Sequence, residues 1–132
     1  MDPADKLWKL IDDTKTCMMV TDTQGTALHG RPMHAAHIDP AKKQIWFYTR
    51  LASGKSEDLA QNGRVCLCFA RPGKGDYVSV SGEGRIDPDR EMIHAHWSRF
   101  VDAWFPEGPD GPDVGMIRVD VESGEYWDSG SS

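Results

Sequence analysis

No hydrophobic run in this 132-residue chain is long enough to span a bilayer or form the core of an export signal, because Asp, Lys or Arg breaks up every apolar stretch. A cytoplasmic address is the expectation. Cysteine is scarce and odd in number, three in all, which favours free thiols over a disulfide framework. A basic stripe is missing as well. Fifteen Lys and Arg stand against 21 Asp and Glu for a net charge of −6, and from Asp102 onward the acids at 102, 107, 110, 113, 120, 122, 125 and 128 face Arg118 alone. Such an end repels a nucleic-acid backbone, while the near-neutral first part can still hold a small anion. A metal-ligand pattern is lacking too. Cys66 and Cys68 share a strand face without a third ligand and read as small core residues; His94 and His96 diverge on a helix, and His34 and His37 on a strand. Gly54-Lys55-Ser56 resembles the end of a phosphate-binding P-loop, but position 49 is Thr where that motif needs Gly.

What is present suits one globular domain over residues 1–128, with a frayed tail over 129–132: 39% hydrophobic and 27% charged residues are ordinary values. Asp2-Pro3 opens a helix that runs to about Asp13 with Leu7, Leu10 and Ile11 in one stripe. Strands follow at Thr16–Thr21, through Arg31, at Gln44–Thr49, Arg64–Ala70 and Asp76–Ile86. Pro32 cannot donate to a ladder and marks an edge or bulge. Gln44–Thr49 carries Ile45, Phe47 and Thr49 on one face and Trp46 and Tyr48 on the other, so it should be buried on both sides and central. The glycines of Asp76–Ile86 predict bending or close approach of another backbone. Asp87-Pro88 starts one long helix whose stripe is Met92, Ile93, His96, Trp97, Phe100, Val101 and Trp104. Phe105–Asp113, with three prolines in nine residues, is a stiff loop; strands at Val114–Val121 and Glu125–Trp127 close the chain. Mostly antiparallel strands with short turns, one short helix mid-sheet and a longer one near the end, predict an α+β fold, a small antiparallel β-barrel with capping helices.

The organising stretch is Leu28–Gln61. A helix begins near Ser53, a good N-cap, and Lys55 sits in its first turn, where the unpaired backbone N–H groups already form a positive pole. A lysine there fits best beside an anion, and Arg31 supplies a second cation from the neighbouring strand. Glu57 and Asp58 offer the plainer alternative, a solvated helix start in which both the pole and Lys55 are satisfied locally. On the residues alone both readings stand.

The ordered set of R-P-M (31–33), I-W-F-Y-T (45–49), S-G-K-S-E-D-L (53–59), the cysteine-bearing strand, W-F-P-E-G-P-D-G-P-D (104–113) and E-Y-W-D (125–128) resembles the pyridoxamine 5′-phosphate oxidase-like flavin-binding split barrels, and most of all their bacterial general stress protein branch. The resemblance implies a split barrel and a homodimer with FMN at each of two subunit interfaces. It implies that Arg31 and Lys55 hold the FMN phosphate with a hydrogen bond from Ser53, and that Met33 and His34 lie along the isoalloxazine. Tyr48 and Thr49 would contact ribityl and ring atoms, and Trp127 would approach the flavin of the partner subunit. FAD, a deazaflavin or haem are the alternative cofactors that related barrels take. The function it implies is a flavin-dependent reductase or oxidase of an unidentified small substrate in a stress response; the alternative is a flavin store or sensor without fast turnover. Gly54 stands where the longer oxidases carry an arginine, and no C-terminal arginine/histidine segment follows Trp127, so the resemblance does not extend to oxidation of pyridoxamine phosphate itself.

Overall fold

A computed structural model describes residues 1–23, 25, 27–52, 59 and 62–129. The expected helix start at Ser53–Lys55 and the last three residues of the tail lie outside the described residues. Helix α1 (Pro3–Thr14) begins as its residues predict, with the Asp2 carboxylate accepting from the Asp5 N–H at 2.9 Å. Seven described strands follow: β1 (Thr16–Thr23), β2 (Ala27–His34), β3 (His37–Asp39), β4 (Gln44–Arg50), β5 (Arg64–Arg71), β6 (Asp76–Asp87) and β7 (Val114–Trp127). Two short helices, α2 (Arg90–Ala95) and α3 (Arg99–Trp104), lie between β6 and β7. The strands form one antiparallel sheet in the order β2-β1-β5-β6-β7-β4-β3, rolled but not closed. This is the split barrel of an α+β protein.

The interior is filled by one face of nearly every strand. Met19, Ile45, Phe47, Leu67, Phe69, Val80, Ile117 and Val119 are buried there with Leu10 and Ile11 of α1. Period-two alternation turns the opposite residues of β4 and β7 outward, and that outer side carries a second core: Trp46, Val114 and Met116 beneath Ile93, Val101 and Phe105. Strand β4 is thus buried on both faces, as expected, but it is not central. It lies second from the sheet edge, next to the three-residue β3, because its outer face is covered by α2 and α3 rather than by more sheet. Pro32 sits on β2, which ends the strand order, where a missing donor costs no ladder bond.

Three further expectations are corrected. The region after Asp87 is two helices, capped by Asp89 and Ser98, instead of one. Ser98 is extended (φ −136°, ψ 170°) and its hydroxyl accepts from the Val101 N–H, so a new helix starts there. The break turns Phe100 and Trp104 to the surface, each 62% exposed, instead of into the stripe. The end of the chain is one strand, β7, whose register slips between Ser81 and Gly82 of β6. At that bulge the backbones meet as the glycines suggest: a Cβ on Gly82 would lie 2.2 Å from the Asp120 carbonyl oxygen. Finally, Cys66 is half-buried and Cys68 exposed, because the larger Val65, Leu67 and Phe69 take the inward face of β5.

Candidate functional site

A cleft of about 730 Å³ opens where the end of β2 meets the outer face of β4 beneath α2 and α3. Its position follows from local geometry. The ladder between β1 and β2 ends at His34, and the chain steps across to β3 through Ala35 and Ala36, whose N–H groups donate to the carbonyls of Lys15 and Trp46 at 2.8 Å each. That step leaves Met33 and His34 on one wall and Tyr48 and Arg50 on the other. Residues from the break between the helices and from α3 complete it: His96, Phe100, Val101, Trp104 and Phe105.

The expected site residues divide. Met33, His34 and Tyr48 come together at the cleft. The Thr16 hydroxyl holds His34 Nδ1 at 3.0 Å, and the His34 ring tilts against Phe100 with centroids 5.6 Å apart. The Tyr48 hydroxyl donates to the Ile93 carbonyl at 2.6 Å, and burial raises its pKa to about 12, so it stays a neutral donor that ties β4 to α2. Arg31 lies two residues before Met33 on the same face of β2, donating to the Thr21 hydroxyl at 2.7 Å and lying 2.9 Å from His29 Nδ1; it does not line the cleft. Thr49 is 2% exposed on the barrel side of β4, and Trp127, half exposed, ends β7 opposite Tyr77; neither lines the cleft. Ser53 and Lys55 lie outside the described residues.

The lining residues that escaped the sequence reading include Lys15, Arg50, His96, Phe100 and Trp104. Arg50 was within reach of it, because period two places position 50 on the face of Trp46 and Tyr48. Its guanidinium donates to the Trp104 carbonyl, lies 3.6 Å from the Asp113 carboxylate and stacks over Phe105 at 4.9 Å, clamping α3 and the proline loop to the sheet. Lys15, Arg50, His34 and His96 line the cleft and, among the described residues, no Asp or Glu does, which suits a ligand carrying negative charge.

His96 also stacks on His37, ring centroids 4.2 Å apart and planes 19° from parallel. Burial first, and the charge of His37 second, lower its pKa below the usual 6.5. The folded chain therefore takes up this proton at lower pH than the unfolded chain, so the associated stability is complete above pH 6.5 and is lost as pH falls through the window below it. The expected result is a urea midpoint that drops between pH 7 and pH 5, and a shallower drop in His96→Gln; equal slopes in the two proteins would contradict the assignment.

A family model described as pyridoxamine 5′-phosphate oxidase like matches residues 2–132. The chain belongs to the pyridoxamine 5′-phosphate oxidase-like family. Among relatives in it, a general stress FMN/FAD-binding protein of Xanthomonas citri is 30% identical and superposes with a TM-score of 0.84 over 98% of this chain and 91% of that one. General stress protein 26 of Bacillus anthracis, 22% identical, shares the fold with a TM-score of 0.84 over 96% and 95% of the two chains. Protein bli-3 of Neurospora crassa is 31% identical over 129 residues; the match takes in 91% of this chain but 62% of that longer protein. The pyridoxamine oxidase-like fold thus accounts for the whole described chain. Among the described residues, no helix is long and apolar enough to cross a membrane, and no group of three His, Cys, Asp or Glu could hold a metal ion.

Proposed function

We propose that this pyridoxamine oxidase-like protein binds FMN and uses it as a flavin-dependent reductase or oxidase of a small substrate, working in the cytoplasm as a homodimer with a flavin at each subunit interface. The observation that carries the reading is the cleft: it lies beside the β2 segment that presents Met33 and His34, within the size range of ligand pockets, with aromatic walls and a basic lining. A planar, largely apolar ring system with an anionic tail fits those walls. The Xanthomonas citri relative, described as binding FMN or FAD, supports the same choice of ligand.

Bound flavin supplies the electron and hydride transfer. The protein's part is to hold and shield it. Arg31, with Lys55 and Ser53, would grip the phosphate; Met33, His34, Tyr48 and Thr49 would orient the ring and ribityl chain. Phe100 and Trp104, exposed in the single chain, and Trp127 at the end of β7 are large apolar groups of the kind a second copy covers. In the dimer Trp127 would close the flavin site of the partner subunit and exclude water from it.

A visible spectrum followed by anaerobic reduction tests this. The expected protein is yellow, releases FMN rather than FAD, deazaflavin or haem on denaturation, and bleaches rapidly on mixing with NADH or NADPH. Colourless protein that takes up no added flavin would overturn the binding reading. Flavin uptake without bleaching would leave a storage or sensing role and overturn the enzymatic one.

A further inference from the structure

The outer face of β5 carries a feature that the flavin reading does not use. Period two puts Cys66 and Cys68 on that face, and their sulfurs lie 3.7 Å apart. Ser79, opposite Cys68 on β6, brings its hydroxyl to 3.7 Å from Cys66 Sγ. Met18, opposite Cys68 on β1, is 44% exposed on the same face, with the end of its side chain toward Gly30 of β2. Cys17 points the other way, into the barrel, and is 3% exposed.

We propose that Cys66 and Cys68 form a two-thiolate chelating site for one soft, thiophilic ion, with Ser79 as a supporting oxygen donor. The geometry favours a one-atom bridge over a direct disulfide. Metal–sulfur bonds of about 2.3 Å to each thiolate would meet across the 3.7 Å gap at roughly 107°, close to a tetrahedral angle. A disulfide would instead have to draw the sulfurs to about 2.0 Å while both residues stay in one strand, with Cα atoms about 6.6 Å apart, the far end of the disulfide range. Two thiolates are the donor chemistry that selects soft ions over hard ones. Both thiols must give up their protons to bind, so binding releases protons and strengthens as pH rises.

Two probes test the site in the full-length, reduced protein. Cd²⁺ should bind one per chain and produce the ultraviolet thiolate-to-metal band. Cys66→Ser and Cys68→Ser should each abolish that band, Cys17→Ser should leave it, and Ser79→Ala should weaken binding about tenfold. Phenylarsine oxide gives a reading that needs no cysteine variant. Its As=O oxygen leaves as water with the two thiol protons while two As–S bonds form, so one equivalent should block two titratable thiols at once, reversed by a dithiol and not by a monothiol. A band that survives in Cys68→Ser, thiols that react singly with the arsenical, or thiols that react with neither probe in the native protein would each overturn the proposal. None of these outcomes depends on flavin, so failure here and failure of the flavin reading are separable.

Discussion

Arg31→Ala combined with Lys55→Ala is expected to produce a folded protein that no longer retains FMN. Contacts from a charged donor to a phosphate contribute about 1.5–3 kcal/mol each, so losing two should weaken binding by roughly 10²–10⁴-fold. That suffices to turn a protein purified yellow into one purified colourless. Arg31 has a structural partner as well, since its guanidinium donates to the Thr21 hydroxyl, which is 1% exposed. The alanine change could therefore act through the barrel instead of through the ligand, and Thr21→Val separates the two. It removes the hydroxyl and leaves the cation, so it should lower stability while FMN is kept. Fluorescence titration of FMN into each apoprotein, beside urea denaturation, makes the comparison. A double mutant with wild-type affinity would place the phosphate elsewhere, and a Thr21→Val protein that loses flavin equally would assign Arg31 to the fold.

The antiparallel barrel was legible because its signals are local. Alternation in Gln44–Thr49 and Arg64–Ala70, turn residues between strands and the proline at position 32 each point to the same sheet, and no competing pattern contradicts them. Failures came where one pattern served two structures. The apolar spacing from Met92 to Trp104 runs unbroken through Ser98, so nothing in the period marks the end of one helix and the start of the next; only the serine's capping chemistry does. In β5 alternation shows that Cys66 and Cys68 share a face, but a small face reads as core unless the bulk of Val65, Leu67 and Phe69 is weighed against it. The site divides in the same way. Met33, His34 and Tyr48 lie within the motif stretch and meet at the cleft, whereas His96, Phe100 and Trp104 reach it from more than forty positions further along the chain, through tertiary packing that no spacing encodes. Arg50 belongs between these cases: its face was readable, its clamp on Trp104 was not.

The two-sided burial of β4 makes Phe47 the substitution with the largest expected effect on stability. Its side chain is fully buried on the barrel side, among residues that Leu10 and Ile11 of α1 help to enclose, while its neighbour Trp46 faces α2 and α3 on the opposite side. Phe47→Ala should cost about 3–5 kcal/mol, the sum of lost transfer energy and a cavity that strands on either side cannot collapse to fill. For a domain of this size that corresponds to a melting temperature lower by roughly 10–25 °C. Phe47→Leu keeps most of the volume and should cost only about 1–2 kcal/mol. The change also distinguishes the two cores. Because α2 and α3 rest on the Trp46 side, Phe47→Ala should destabilise the barrel globally without selectively loosening the cleft. Amide exchange should therefore quicken in β1, β5 and β7 together with β4. Exchange that quickened only in α2 and α3, or a loss below about 1 kcal/mol, would mean that Phe47 does not occupy the barrel interior and that the inward and outward faces of β4 are reversed.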